Sequence, residues 1–495
     1  MALAPRLAAW QPCGGEEGPR LPPLKLSENR RFLVSADGKP FFWLGDTAWW
    51  LREVPPESVD HYLANRAGHG FNIIQVHCGY DGATARPAAD FAGNPPFLGG
   101  DPGKPNEPFW RTIDEIVAKA GRARLYVALV PMWGGEYGRA FGTDREKARR
   151  FGRWIGNRYS ACSHVVWVVS GEYAEINNFK YPVREDQKAV FNAAAGGLRD
   201  AHSGAQLMTI HPGGARSSSE DFHQQAWLDF NMIQSGHFID SRAWQAPENC
   251  ELVSSDYARR PVKPVIDGEP IYEDTPDAVW KVKHVEGPRA GADVVRRKAY
   301  WAVFSGAFGH TYGHNDVYGF FEPSIPGQVL TLKSKPSGPG QRGSWRAALD
   351  APGASQMKYL RSLMESRPFL TRVPDRSLVG GALASGDGPV VGTRDDRGGY
   401  AMIYTPTARR LTVRLDRLKG PEITGWWFNP RSGGAARIGV FPRGREREFT
   451  PPAEGDWVLV LDASSRAAPP GQKNASDPFF HRQREVAGEP RPAAK

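Results

Sequence analysis

Residues 263–273 read KPVIDGEPIYE. Val265 and Ile266 form an apolar run that drives into Asp267, Gly268 and Glu269, and Pro270 stops it. A short apolar run without polar alternation is the mark of a strand buried on both faces. The same construction recurs along the chain: FFWLGD at 41–46, FNIIQVH at 71–77, LYVALVPMW at 125–133, VVWVVSGE at 165–172, LMTIHPG at 207–213, MIQSGHF at 232–238 and GHTYGHN at 309–315. Helical patterns separate most of these runs. PPESVDHYLANRAGHG (55–70) has Pro near its start and Gly at its stop, and TIDEIVAKAGRA (112–123), TDREKARRFGRWIGNRYS (143–160), DQKAVFNAAAGGLRDAH (186–202) and VVRRKAYWAVFSG (294–306) follow. Eight strand–helix units predict an α/β fold of the (β/α)8 TIM-barrel type. The competing doubly wound sheet calls for a Gly-rich turn after its first strand, and GDTAWW (45–50) is not G-x-G-x-x-G. The link after the fifth run, residues 214–231, reads as loop with a short helix. SWRAALDAPGASQMKYLRSLMES (344–366) reads as one helix closing the barrel.

After Arg367-Pro368 the texture changes. VVGTRD, YAMIYTP, LTVRLD, ITGWWFNP, REFTPP and WVLVLD are short alternating runs with turn residues between them, the pattern of a small β-sandwich. The expected organisation is a disordered segment over 1–25, a catalytic barrel over 26–367, a C-terminal β-sandwich over 368–465 and a disordered tail over 466–495. Limited proteolysis is expected to trim both ends, because their composition cannot bury enough apolar surface to offset chain entropy.

The bulk numbers narrow the function. The chain has 495 residues, 40% of them hydrophobic and 11% aromatic, enough for a sizeable core. Sixteen Trp and fifteen Tyr supply flat faces for sugar rings as well as core bulk. The net charge is +9, but the basic residues are scattered, with no basic helix, helix-turn-helix or zinc-finger spacing, so no nucleic acid partner is expected. Cys13, Cys78, Cys162 and Cys250 make no C-x-x-C, and no disulfide framework is suggested. No apolar run approaches the roughly 18 residues of a membrane span. No clear signal peptide opens the sequence.

In a barrel the active site lies at the carboxyl ends of the strands. Those ends carry Asp46, His77, Trp133, Glu172, His211, His237, Glu269 and then His310 or His314. Glu172 and Glu269, on the fourth and seventh strands, are the expected catalytic pair. A retaining glycosidase needs one carboxylic acid to protonate the leaving oxygen and one carboxylate to attack the anomeric carbon. Glu172 follows the apolar VVWVV, which favours a raised pKa and the acid/base role. Glu269 takes the nucleophile role. Alternation along the strand places Asp267 one layer below Glu269 as a supporting group. Trp133, Tyr173, Trp49 and Trp50 are the expected stacking residues, with Asp46, His77, His211, His237, Tyr312 and His314 completing the rim. No cofactor and no metal are expected. A metal-dependent barrel hydrolase using the histidines is one alternative. A non-catalytic carbohydrate- or protein-binding protein is another.

FFWLGDTAWWL, FNIIQVH, VPMWGG, VVWVVSGEY, IHPGG and KPVIDGEPIYE together resemble the apiosidase-like glycoside hydrolases, the group also called DUF4038, with family 140 among them. The likeness covers roughly 26–367. WWFNPRSGG and DWVLVLD resemble the collagen-binding-type β domain that often follows. The resemblance implies a (β/α)8 barrel that cleaves O-glycosidic bonds of a plant-type or bacterial glycan, exo-acting and secreted or periplasmic, with Glu269 as nucleophile and Glu172 as acid/base. One departure stands: the family's strand-four motif often reads Gly-Gly-Asp, where this chain has Ser170-Gly171-Glu172.

Overall fold

The structure, a computed structural model, describes residue 13 and residues 20–79, 88–202, 206–282, 287–325, 340–380, 388–464 and 468–472. The chain divides into two units, 1–357 and 358–495. The division falls inside a helix, Pro352–Glu365, ahead of the expected break at Arg367-Pro368.

In the first unit all eight expected strands are present: β1 (Trp43–Thr47), β2 (Ile73–His77), β3 (Tyr126–Val130), β4 (Val165–Val168), β5 (Met208–Thr209), β6 (Asn231–Gln234), β7 (Val265–Asp267) and β8 (Gly309–Tyr312). They lie side by side in the order β5-β4-β3-β2-β1-β8-β7-β6, every neighbouring pair parallel. The ring closes between β5 and β6. Asp229 N–H donates to Met208 C=O (2.9 Å) and Thr209 Oγ1 to Phe230 C=O (2.8 Å). A two-residue strand, Arg216–Ser217, pairs antiparallel with β6 at this seam.

The helices are α1 (Pro56–Gly68), α2 (Glu107–Arg122), α3 (Gly134–Phe141), α4 (Arg145–Arg158), α5 (Glu185–His202), α6 (Ser219–Phe222), α7 (Asn249–Ala258), α8 (Ala292–Phe304), α9 (Trp345–Ala348) and α10 (Pro352–Glu365). The short α6 occupies the weak link after the fifth strand. The single helix expected over 344–366 is two, α9 and α10. Pro352 has no N–H to continue the first and fits the opening turn of the second.

Side chains alternate across each strand. Ile74, Val76, Val127, Leu129, Val165 and Trp167 face the helices and pack with Ile113, Val117, Ile155 and Leu198. Inside the barrel, Trp43, Phe230 and Phe308 meet edge to face with centroids 5.4–6.1 Å apart. Trp43 Nε1 donates to Thr311 Oγ1 (3.1 Å) and Gln75 Nε2 to Gly268 C=O (2.8 Å), so the interior is filled up to the level of Gly268.

The expected disorder over 1–25 needs correction where the segment is described. Leu24–Leu26 is the first strand of a three-stranded antiparallel sheet with Leu33–Ser35 and Pro40–Phe41. Leu21 and Leu24 are buried. Tyr126 Oη donates to Pro22 C=O (2.6 Å) and Ser163 Oγ to Leu21 C=O (2.5 Å). Cys13 forms a disulfide with Cys162. Apolar anchors and a covalent bond supply what the polar composition did not show. The rest of 1–19 and most of 466–495 lie outside the described residues.

The second unit contains every strand expected of it. A six-stranded sheet holds Arg372–Pro374, Val391–Asp395, Tyr400–Thr405, Trp457–Asp462, Glu422–Phe428 and Ala435–Pro442 in that order. A three-stranded sheet holds Val379–Gly380, Leu411–Arg414 and Glu446–Phe449. Ile403, Leu459 and Trp427 of the first pack with Leu411, Val413 and Phe449 of the second, a two-layer β-sandwich core.

Candidate active site

β7 ends at Asp267, and the chain then breaks from the ladder. Gly268 is tight against β6: a Cβ there would fall 2.7 Å from the Met232 side chain. Pro270 is bridged to Gly236, which fixes the lip. Between them Glu269, 6% exposed, meets two imidazoles: Oε1 stands 3.1 Å from His237 Nε2, and Oε2 stands 3.1 Å from His211 Nε2. Tyr272 Oη also bonds to Glu269 and accepts from Trp49 Nε1 (3.1 Å). Burial alone would raise the Glu269 carboxyl. The contacts to His211 and His237 outweigh it and hold the group far below the usual carboxylate range.

Glu172 follows Gly171 with φ +29°, a left-handed turn uncommon outside glycine, and starts the 3-10 turn Tyr173–Asn177. Trp133 Nε1 donates to its Oε2 (3.3 Å) and Gln234 Nε2 to its Oε1 (3.2 Å). Burial first, and the charge of Glu269 second, push its carboxyl up to about 7. Two carboxyls at one mouth are thus driven in opposite directions, the condition for an acid and a nucleophile to coexist at one pH.

Both open into a cavity of about 1000 Å³. Trp49, Trp50, Tyr272 and Tyr318 are among its lining residues, each no more than 8% exposed. Trp133 stands edge-on to Trp49 (5.3 Å) and to His77 (4.9 Å). His77, buried beside Arg52, has its pKa pushed well below the ordinary value and is neutral. His211 and His237 have their Nε2 atoms at Glu269, and among the described residues no three His, Cys, Asp or Glu converge with metal-ligand geometry.

The family model described as "Apiosidase-like, catalytic domain" matches residues 27–371. The chain belongs to the apiosidase-like family. A second model, "Putative collagen-binding domain of a collagenase", matches residues 373–462. A solved structure described as a glycoside hydrolase is 31% identical, with 90% of this chain and 98% of that one covered and a TM-score of 0.79. A glycoside hydrolase family 5 protein from Bacteroides vulgatus ATCC 8482 is 29% identical over 93% of this chain and 98% of its own, with a TM-score of 0.80. Among curated proteins none matches. This apiosidase-like chain is a glycoside hydrolase, and no described helix is long and apolar enough to cross a membrane.

Within the apiosidase-like site, Glu172, Glu269, Trp49, Trp50, His77, Trp133 and His237 line the cavity, and His211 touches Glu269 from below. Five expected residues lie elsewhere. Asp46 sits on the helix side of β1, where it accepts from Tyr62 Oη (2.6 Å) and faces Arg66 (3.6 Å). Tyr173 swings under its loop into the core and donates to Asp221 Oδ2 (3.1 Å). Tyr312 is buried and donates to Glu273 Oε2 (2.6 Å). His314 lines a separate shallow depression with Asp274 and Asp316. Asp267 is not a layer below Glu269. It shares the helix side of β7 with Val265, held by Ser235 Oγ (2.8 Å) and Asn249 Nδ2 (3.3 Å). Its link to the site runs through the Ser235–His237 loop. Tyr272 and Gln234, which touch the two carboxylates, escaped the sequence reading.

Proposed function

We propose that this glycoside hydrolase is a retaining, exo-acting enzyme that removes a terminal sugar from a plant-type or bacterial glycan. The opposed ionisation of Glu172 and Glu269 carries the reading. In the first step a Glu269 oxygen bonds to the anomeric carbon as the bond to the leaving oxygen breaks, and that oxygen takes the proton of Glu172. In the second step water attacks the same carbon, its proton goes to the Glu172 carboxylate, and the ester bond to Glu269 breaks. Two inversions leave the configuration unchanged, and the chemistry calls for carboxyls about 5–5.5 Å apart. His211 and His237 keep Glu269 ionised. Trp133 and Gln234 orient Glu172. Trp49, Trp50 and Tyr318 line the cavity with the pair and offer aromatic faces to a sugar ring.

Azide rescue is the experiment. Glu269→Ala should lose nearly all activity on an aryl glycoside, and azide should restore part of it, giving a glycosyl azide of inverted configuration. Full activity in Glu269→Ala would remove the reading.

A further inference from the structure

Asp267 is the last ladder residue of β7, paired with Ile233 of β6, and its carboxyl is fully buried on the helix side. Past this point the two chains carry the site. One runs through Ser235 and Gly236 to His237, and the other through Gly268 to Glu269. The Asp267 carboxyl reaches across to the first of them. Oδ2 accepts from Ser235 Oγ (2.8 Å), and Oδ1 accepts from the Ser235 N–H (3.4 Å). Asn249 Nδ2, at the start of α7, donates to Oδ2 (3.3 Å) and to Lys298 C=O of α8 (2.7 Å), so the clamp is itself anchored. Gly236 then turns the chain with φ +87°, where a Cβ would fall 2.8 Å from the Phe238 ring. The next residue, His237, sets Nε2 3.1 Å from Glu269 Oε1. The loop is held again further on: Lys298 Nζ bonds to Ser241 Oγ (3.3 Å) and Glu248 Oε2 (2.5 Å), and Glu248 Oε1 accepts from Ser241 N–H (2.9 Å). One residue thus leads by its backbone to Glu269 and grips by its side chain the chain that delivers His237. A buried carboxyl is costly, and this one has its bonds at that junction.

We propose that Asp267 is a positioning residue which, by clamping Ser235, sets His237 against Glu269. The proposal rests on the assignment of Glu269 as nucleophile. Glu269 is faced by His211 and His237 at 3.1 Å each, by the Tyr272 hydroxyl, and at longer range by Glu172 and Tyr318. Of these, His237 is the one carried by the loop that Asp267 grips. With the clamp gone, His237 drifts, Glu269 loses one of its two imidazole contacts, and its carboxyl moves up toward the ordinary range. Removing the Asp267 charge by itself acts the other way, because a nearby anion raises a carboxyl and its loss lowers it. The direction of the change therefore separates the clamp from the charge.

A double-mutant cycle between Asp267 and His237 reads this coupling, with a 4-nitrophenyl glycoside that the enzyme hydrolyses as substrate. Asp267→Ala should lower kcat/KM roughly a hundredfold, the scale of a small misplacement at a reacting centre. Asp267→Asn keeps an acceptor for Ser235 and should recover most of that loss. His237→Ala should also lower kcat/KM, and Asp267→Ala added to it should cost little more, because the clamp acts through the imidazole. A merely structural role would add its full cost in the double variant. The pH profile is the second readout. The wild type should hold its kcat/KM from pH ~6 to ~4, whereas Asp267→Ala should lose it progressively across that span as Glu269 takes up a proton. Where Asp267→Ala does not fold, Ser235→Ala removes the 2.8 Å bond, leaves the carboxyl in place and enters the same cycle. Additive losses with His237→Ala, or an acid limb in the Asp267 or Ser235 variant identical to that of the wild type, would overturn the proposal. Failure of the nucleophile assignment shows separately, as undiminished nitrophenol release by Glu269→Ala.

Discussion

The indole of Trp133 occupies the space that any side chain at Gly171 would need: a Cβ there would fall 2.1 Å from the Trp133 Cε3 atom. The same indole donates to Glu172. The residue before the candidate acid and the ring that orients it are therefore one unit, and their backbones are bridged. Gly171→Ala should push the indole off Glu172 and lower kcat/KM at least roughly a hundredfold, the cost of misplacing a reacting group by about 1 Å. The check is steady-state kinetics on protein whose circular dichroism matches the wild type. Near-normal kcat/KM would show that Trp133 does not set the position of Glu172.

The pH profile follows from the two opposite shifts. Glu172 must carry its proton, and its carboxyl is raised to about 7. As pH rises through that value the protonated fraction falls, and kcat/KM should drop tenfold per unit above it. Glu269 must be ionised, and its carboxyl is held far below the ordinary range. Acidification should therefore not remove the nucleophile, and activity should stay level from pH ~6 to ~4, below the usual glutamate value. The two groups interact, so the limbs report the pair. A fall in kcat/KM centred near pH 4.5 would contradict the shift assigned to Glu269.

The barrel strands could be read from the sequence because most strands buried on both faces are largely apolar, as YVALV (126–130) and VVWV (165–168) are, and the runs recur between helical patterns. The rim was harder. A polar residue ending a strand can face the mouth or the helices, and one step decides which. Asp46 faces α1, where Tyr62 and Arg66, four residues apart, bind it; that helical pair was the available signal. Tyr173 follows a residue with φ +29°, which reverses the alternation and turns its ring into the core. Glu269 lies beyond the last ladder residue of β7, so its direction does not follow from that of Asp267. Tyr272 stood in the very stretch that pointed to Glu269, but three residues past it, where no strand rule applies.

The Cys13–Cys162 bridge spans a sequence separation of 149 and ties Cys13 to the connection between α4 and β4. Such bonds persist in oxidising surroundings. Cys78 and Cys250 are buried and take no part in a disulfide. Thiol titration of denatured, unreduced protein should count two thiols, and four after reduction. Cys162→Ala should lower stability by roughly 2–5 kcal/mol in denaturant melts. Four thiols before reduction would show that the bridge does not form.

The central claim is that Glu269 bonds to the sugar, and covalent trapping tests it most directly. A 2-deoxy-2-fluoro glycoside with an activated leaving group slows both steps but lets the first accumulate. Mass spectrometry of the intact protein should show one added fluoroglycosyl group. Peptide mapping should place it on Glu269, and proton NMR of product from the unmodified substrate should show retained configuration. An unlabelled protein that releases a product of inverted configuration, or a label on another residue, would contradict the account.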